Sequence, residues 1–197
     1  MDLKLATGTL VSYLLGSIPF GLLFAKAKGV DLRKVGSGNI GATNVLRGVG
    51  KKAALLTLLG DAMKGAAGVL LARYLGLDEL GQGIMGTAAI LGHDFSLFLL
   101  FRGGKGVATS LGMIFAYSPL SGVITGLLWL ITAALTRYSS LSALVAFGLL
   151  PLSIYLAERN GTMALIAFFI TLLIIIKHAG NIERLLKGEE RRIGEKH

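Results

Sequence analysis

The chain has 197 residues, of which 53% are hydrophobic and only 16% are charged, and its mean hydropathy is +0.71. A water-soluble domain of this length could not bury so much apolar surface in one core, so the composition indicates an integral membrane protein. The formal net charge of +9 fits the basic cytoplasmic loops of such a protein and gives no reason to expect nucleic-acid binding. The absence of cysteine excludes disulfides, thiolate metal sites and thioester-forming nucleophiles, and three histidines offer little for a metal, so we expect no metal and no cofactor.

Seven apolar stretches are candidates for membrane-spanning helices, since a bilayer core about 30 Å thick needs about 20 apolar residues per helix. They lie at about 3–25, 53–72, 83–100, 107–117, 119–136, 140–157 and 161–178. The first is long and ends in a basic segment without a small-residue cleavage site, so we interpret it as a retained helix and not a signal peptide. The fourth is short, and Pro119 suits the first turn of a new helix, which predicts a tight turn at Tyr117, Ser118 and Pro119.

The basic residues alternate between the two sides that these spans define. One side carries Lys26, Lys28, Arg33, Lys34, Arg47, Lys51, Lys52, Arg102, Lys105, Arg137, Lys177, Arg184, Lys187, Arg191, Arg192 and Lys196. The other side carries only Lys4, Arg73 and Arg159. Because Lys and Arg concentrate in short cytoplasmic loops, we expect an all-α protein with seven transmembrane helices, its N-terminus outside and its C-terminus in the cytoplasm. No repeat or linker divides the chain, so residues 1–197 are expected to form one domain.

The first cytoplasmic segment contains a run rich in glycine and small polar residues. Its candidate binding residues are Gly36, Ser37, Gly38, Asn39, Thr43, Asn44 and Arg47. Glycines let successive backbone N–H groups turn toward one point, small polar side chains add hydrogen bonds, and arginine adds a forked cation, which together suit an anion. The run matches neither a Walker motif nor a dinucleotide-binding fingerprint. A flexible turn between helices would also contain glycines, although it would not need so many polar groups.

A second cluster, with Gly103, Gly104, Lys105 and Gly106, follows the third span and precedes the fourth. Backbone donors exposed by the two glycines, together with the positive end of the helix dipole, would favour an anion. A tight turn carrying a positive-inside lysine explains this short pattern equally well.

The third cluster lies at the cytoplasmic end of the last span, where His178 and Asn181 are three residues apart. If this segment is helical, both side chains share a face and could address one polar ligand. Histidine exchanges protons near neutral pH, and asparagine can orient a hydroxyl or phosphate group. The neighbouring basic residues are interpreted as anchors at the membrane surface: Lys177, Lys187, Arg191 and Arg192.

Four ionisable residues interrupt the predicted spans. Asp61 and Lys64 are three apart, so an ion pair on one helix face would explain them and predicts a structural role near the site. His93 is explained by a bond to a neighbouring helix as well as by chemistry. Asp94 must reach water, become protonated or find a partner.

The three clusters emerge on one side and bring together Arg47, Lys105, His178 and Asn181. Next to apolar helices, such a site suits a phosphate-bearing molecule with a lipid chain. A transporter for phosphorylated solutes would require more polar residues across the spans. A structural scaffold would leave the glycine-rich clusters replaceable.

The clusters resemble the three signature motifs of the bacterial acyl-phosphate-dependent glycerol-3-phosphate acyltransferases, the PlsY family. The matching segments are 36–47, 103–112 and 178–190, and the similarity extends to 16–21, 61–65 and 137–140. One departure is Asp94-Phe95-Ser96, where the family usually has an aromatic residue followed by proline, which leaves the end of this helix open.

The resemblance implies transfer of a fatty acyl group from acyl phosphate to the sn-1 hydroxyl of glycerol 3-phosphate, giving lysophosphatidate and phosphate. It also implies a multi-pass protein of the inner membrane, a cytoplasmic active site without metal, and membrane lipid as its surroundings. In the matching positions, phosphate groups would be held by Ser37, Gly38, Asn39 and Arg47, acyl phosphate by Gly103, Gly104 and Lys105, and glycerol 3-phosphate by His178 and Asn181.

Overall fold

The computed structural model describes residues 2–195, and this part of the chain contains helices and turns without a strand. The α-helices are α1 (Leu3–Gly16), α2 (Phe20–Lys26), α3 (Ala42–Gly48), α4 (Lys51–Tyr74), α5 (Glu79–Asp94), α6 (Val107–Tyr117), α7 (Pro119–Thr136), α8 (Ser139–Gly148), α9 (Leu150–Glu158), α10 (Gly161–Lys177) and α11 (Ala179–Leu186). Short 3₁₀ turns occupy Leu32–Lys34 and Leu97–Leu99. The basic residue Lys196 lies outside the described residues.

Each predicted span coincides with one helix or with two consecutive helices. In the described part of the chain, four segments are long and apolar enough to cross a membrane: Leu3–Lys26, Lys51–Tyr74, Pro119–Thr136 and Ser139–Glu158. The bent pair α10 and α11 makes a fifth if it is taken as one span. Helices α5 and α6, with 16 and 11 residues, are shorter than a full crossing needs. The chain is therefore a multi-pass helical membrane protein.

The third predicted span is wrong at its end, because α5 stops at Asp94 and not at residue 100. The turn that follows is held by contacts to α1, since the hydroxyl of Ser96 donates to the carbonyl of Ser17 at 2.6 Å. Leu100 and Phe101 then adopt left-handed backbone conformations that no continuing helix could contain. The predicted tight turn before Pro119 is confirmed, because α6 ends at Tyr117 and α7 begins at Pro119.

A bend at His178 separates α10 from α11 by 60°. The ring of His178 interacts through Nδ1 with the carbonyl of Ile174, 2.8 Å away, at the end of α10. His178 stands at the bend and Asn181 follows in the first turn of α11, where its N–H donates to the carbonyl of His178 at 2.8 Å. The two residues are therefore one helical turn apart, as expected, although α10 itself ends at the bend.

Helix α4 is central and packs against α6, α5 and α1. Gly65 on α4 faces the backbone of Thr109, and Gly112 on α6 faces the backbone of Ala62, so a side chain at either glycine would overlap the other helix. Such small residues let membrane helices approach closely. Two buried apolar clusters result, one around α5, α6, α8 and α10, and a smaller one beneath residues 36–41.

Candidate active site

A cavity of about 800 Å³ lies between α3, α4, α6, α7 and the bend at His178. All three sequence clusters contribute to it, which confirms that they converge on one site. Its polar end is lined by Ser37, Asn39, Thr43, Arg47, Lys105, His178, Asn181 and Glu190. From this end an apolar groove continues along Leu55, Leu58, Leu111, Phe115, Trp129 and Leu130. Several of the groove residues are exposed at the outer surface of the bundle, so the groove opens sideways where lipid would lie.

Asn44 holds the glycine-rich loop, residues 36–41, in its shape. Its buried side-chain amide donates to the backbone carbonyls of Leu32, Val35 and Asn39 at 3.2, 3.0 and 2.8 Å, and its oxygen accepts from the N–H of Ser37 at 3.0 Å. Both polar atoms of the amide are therefore occupied by the protein backbone. Asn44 lines the cavity, and its role in substrate binding stays a prediction; what its contacts show is that it fixes the residues around the loop.

Gly36 makes this arrangement possible. Its φ of +58° belongs to the left-handed region, and a side chain there would collide with Oδ1 of Asn44. Ser37 is exposed at the polar end of the cavity, and Thr43 shares a hydrogen bond of 3.1 Å with Ser139. Gly38 also has a positive φ but does not line the cavity, so its visible contribution is to the turn.

Arg47 is held by the C-terminal tail, residues 188–195, which folds back across the polar end of the cavity. Its Nη2 donates to the backbone carbonyls of Arg191 and Arg192 at 3.3 and 3.2 Å. Its Nε is buried and has no hydrogen-bond partner among residues 2–195. The guanidinium is fixed by the hydrogen bonds of Nη2, while its Nε–H still lacks an acceptor. Such a group suits an oxyanion in the cavity.

The loop of residues 103–106 packs against the C-terminal end of α5. The N–H of Gly104 donates to the carbonyl of His93 at 2.9 Å, so this donor is already used. Neither Gly103 nor Gly104 lines the cavity, and the expectation that both expose donors there is wrong. Their small size is required because a side chain at either position would overlap His93. The N-terminus of α6, reached through Gly106, does line the cavity, and the N–H groups of its first turn have no partners within the helix.

Lys105 reaches from this loop to the opposite wall. Its ammonium donates to Oδ1 of Asn181, and burial lowers the pKa of Lys105 to about 8. The amide of Asn181 in turn donates to Glu190 at 2.6 Å. The second and third clusters are thus joined by direct hydrogen bonds.

Glu190 is the centre of a network that the candidate site residues did not include. Its carboxylate accepts from Ser140 at 2.7 Å, from Asn181, and from Nε of Arg184 at 2.9 Å. Burial alone would raise the pKa of Glu190, but these hydrogen bonds and the charge of Arg184 outweigh it and lower the pKa below its usual value. Glu190 is the last residue of the third motif, 178–190, so the motif pointed to it. The separation of nine positions between Asn181 and Glu190 gave no reason to expect that the two side chains would meet.

The ionisable residues of the predicted spans form a buried cluster under the cavity. The ion pair of Lys64 with Asp61 is confirmed at 2.7 Å, and His93 of the neighbouring helix bonds to Lys64 at 2.8 Å. Asp61 and His93 also line the cavity, which the sequence did not predict. Both carboxylate oxygens of Asp94 are buried without a hydrogen-bond partner in the described chain. Lys177 is no surface anchor, since it donates to the backbone carbonyl of Asp94 at 2.9 Å and lies over the ring of Phe95.

The cavity therefore combines four basic residues (Arg47, Lys105, Arg184 and Arg191), polar side chains and the N–H groups at the start of α6 with an apolar groove. No group of three His, Cys, Asp or Glu side chains in residues 2–195 could hold a metal ion. Such a cavity can hold an anionic headgroup at one end and a hydrocarbon chain at the other. The fold and the site together define a multi-pass helical membrane protein whose cavity suits a phosphorylated molecule with a lipid chain.

Comparisons with known proteins agree with this class. The family model described as glycerol-3-phosphate acyltransferase matches residues 6–188. Glycerol-3-phosphate acyltransferases of Sinorhizobium medicae and Geobacter sulfurreducens are 51% and 47% identical over 185 and 184 residues, covering 93% of this chain in each case and 90% and 95% of their own. The chain belongs to the glycerol-3-phosphate acyltransferase family and is an acyltransferase.

Two solved structures place it with PlsY, an integral membrane glycerol 3-phosphate acyltransferase. The glycerol 3-phosphate form of PlsY superimposes with a TM-score of 0.91 at 42% identity and covers 96% of both chains. Its lysophosphatidic acid form gives a TM-score of 0.89 at 41% identity, covering 96% of this chain and 95% of that one.

Proposed function

We propose that the protein transfers a fatty acyl group from acyl phosphate to the sn-1 hydroxyl of glycerol 3-phosphate, releasing lysophosphatidate and inorganic phosphate. The observation that carries this proposal is the single cavity in which Arg47 and Lys105 lie at one end and the apolar groove begins at the other. PlsY has been solved in a glycerol 3-phosphate form and a lysophosphatidic acid form, and these two molecules are the acceptor and the product of the proposed reaction. A solute transporter is disfavoured because the groove beyond the polar end is apolar.

In this proposal the substrates divide the polar end of the cavity between them. The acyl phosphate lies with its phosphate at Lys105 and the start of α6 and with its chain along the groove. Glycerol 3-phosphate lies between the glycine-rich loop and the bend, where Ser37 and Arg47 hold its phosphate and His178 and Asn181 orient its hydroxyl. Asn44 acts by shaping the loop.

The hydroxyl oxygen of the acceptor attacks the carbonyl carbon of the acyl phosphate directly. The bond between this carbon and the phosphate oxygen breaks, and phosphate leaves with the electron pair. The hydroxyl proton passes to His178 or to a phosphate oxygen. Phosphate is already a good leaving group, so positioning and charge stabilisation supply most of the catalysis, and the sequence has no cysteine to form a thioester.

We further propose that the chain crosses the inner membrane seven times, with its N-terminus outside and the cavity open to the cytoplasm. Helices α5 and α6 would then be short spans in a locally thin region, which bilayers tolerate at modest cost. The distribution of Lys and Arg supports this orientation.

The decisive experiment mixes the purified protein with palmitoyl phosphate and glycerol 3-phosphate and follows both phosphate release and lysophosphatidate. We expect product from acyl phosphate and none from acyl-CoA; the reverse result would overturn the donor assignment. The variants Arg47→Ala and Asn181→Ala should lose activity while remaining folded. Arg73→Ala is the matched control, because Arg73 hydrogen-bonds Gln82 away from the cavity.

A further inference from the structure

We propose that His93 is an additional binding residue for the acyl donor, with its Nε2–H directed at an oxygen of the acyl phosphate beside the loop of residues 103–106. This inference rests on the proposed function, because it names a protein group for the donor that function requires. It assigns a role to a buried cluster that the mechanism above does not use.

The Lys64 ammonium determines which ring nitrogen of His93 carries the proton. An ammonium has three N–H donors and no acceptor. Its three partners are Oδ1 of Asp61 at 2.7 Å, the carbonyl of Ile18 at 2.9 Å and Nδ1 of His93 at 2.8 Å. Nδ1 must therefore accept, and the neutral ring carries its proton on Nε2. Oδ1 of Asp61 lies 3.5 Å from Nδ1, but an unprotonated Nδ1 has no proton to donate to it, so Asp61 acts on the ring through Lys64.

The other side of the ring faces the loop and the cavity. Nε2 lies so close to Gly104 that a side chain at that position would overlap it. His93 lines the cavity together with Lys105 and Gly106 while only 4% of its surface is exposed. In the described part of the chain, no hydrogen bond to Nε2 is present, and no other histidine lies on this wall. An N–H beside Gly104 at the edge of the cavity, next to Lys105 and without a protein acceptor, is placed to bind an anionic oxygen.

His93 serves the donor and not the acceptor because of its position. It packs directly against Gly103 and Gly104, whereas His178 and Asn181 belong to the bend and to α11, from which Asn181 meets this loop through its hydrogen bond with Lys105. As a neutral donor it transfers no proton; it strengthens its hydrogen bond as charge develops on the phosphate or on the attacked carbonyl oxygen. The ion pair of Asp61 and Lys64 fixes the tautomer and orientation of the ring and so acts as a positioning pair.

The test compares His93→Ala with His93→Gln in steady-state kinetics with palmitoyl phosphate in mixed detergent micelles. His93→Ala should lower kcat/KM for palmitoyl phosphate by about ten- to a hundredfold, since a hydrogen bond to a charged group is lost. The KM for glycerol 3-phosphate should change less than about twofold, because its proposed contacts are elsewhere. His93→Gln should recover most of the loss, since its amide can place an N–H near Nε2.

Tyr13→Phe is the matched control. Its hydroxyl donates to the carbonyl of Phe95 at 2.7 Å, so the variant removes a hydrogen bond at the same end of α5 without altering the cavity. Wild-type kinetics in His93→Ala would overturn the proposal. So would equal losses in both His93 variants with a lowered unfolding temperature and a raised KM for both substrates, which would show a structural role alone.

Turnover by the wild-type protein separates this inference from the proposed function. If the wild-type protein uses a different acyl donor, the donor assignment fails, and the same three variants assayed with that donor still decide the role of His93.

Discussion

At the scale of single residues, Lys105 has the most unusual environment among the cations of the site. Burial lowers its pKa to about 8, although Glu190 nearby favours its charged form. Only the protonated ammonium attracts the phosphate of the donor. As the pH rises through the pKa of Lys105, the ammonium therefore loses its proton and its charge. An anion bound beside it raises this pKa, so the charge is then lost at a higher pH.

We accordingly expect kcat/KM for the acyl donor to fall above about pH 8, with a smaller decline in kcat because bound substrate holds the proton. Lys105→Arg should be less active at every pH but should lack this alkaline decline, because arginine stays charged. Initial rates measured across this range check the prediction, and a wild-type profile that is flat through pH 8 would contradict it.

Asn44 illustrates a residue whose type was predictable and whose role was not. A small amide in a glycine-rich run fits ligand binding, but two of its four backbone contacts are to Leu32 and Val35, which precede the run and have apolar side chains. Ser37, Arg47, Lys105, His178 and Asn181 were predicted as site residues and do line one cavity. The spacing of residues in the sequence identified these side chains. Their hydrogen-bond partners could be identified only from the folded structure.

Asn44→Ala should therefore destabilise the protein as well as inactivate it. The two N–H groups of the amide serve three carbonyls and its oxygen accepts once, so three hydrogen bonds at about 1 kcal/mol each, with partial relaxation of the loop, predict a loss of about 2–3 kcal/mol in unfolding free energy. The neighbouring Thr43→Val removes one side-chain hydrogen bond, that with Ser139, and should cost less than half as much. Unfolding in detergent measures both, and equal stability of Asn44→Ala and the wild type would refute the structural role.

At the scale of elements, hydropathy located the long apolar helices, because apolar length is a local property of sequence, but not the short helices α3 and α11. It predicted the break at Pro119 and missed others. The end of α5 at Asp94 depends on Ser96 bonding to Ser17 of another helix, and the bend at His178 depends on how α11 crosses the bundle. Such breaks follow from tertiary contacts, so the hydropathy of a local stretch of sequence does not predict them.

The C-terminal tail is the element whose contribution is most easily isolated. Glu190 within it accepts hydrogen bonds from Ser140, Asn181 and Arg184, while Glu189 beside it is exposed. Replacing Glu190 by alanine leaves Asn181 without its acceptor and removes the charge that opposes Arg184. The orientation of Asn181 toward the acceptor substrate then depends on Lys105 alone.

Glu190→Ala should raise the KM for glycerol 3-phosphate about tenfold or more and lower kcat. Glu189→Ala carries the same change of charge and should keep the kinetics of the wild type. Kinetic constants of the pair, measured with one donor concentration held saturating, distinguish a local network from a general effect of tail charge. Equal effects in both variants would argue against the network.

At the scale of the whole molecule, the membrane arrangement follows from a balance between short helices and charge placement. Helices α5 and α6 are too short to be recognised as spans by length alone, yet they lie at the centre of the bundle against α4. If either failed to cross, the basic segments before and after it would fall on opposite sides of the membrane. The charge distribution therefore favours seven crossings.

The natural absence of cysteine makes this arrangement directly testable with single reporters. Cysteines introduced at the exposed positions Glu79 and Arg159 should react with a membrane-impermeant maleimide in cells whose outer membrane has been permeabilised and whose inner membrane is intact. Cysteines at Lys28 and Lys187, also exposed, should react only after the inner membrane is opened. One proposed span, α4, separates positions 28 and 79, and five separate positions 79 and 187: α5, α6, α7, α8 with α9, and α10. Labelling of position 187 from outside would therefore mean that an odd number of these helices does not cross, and it would refute the seven-span topology.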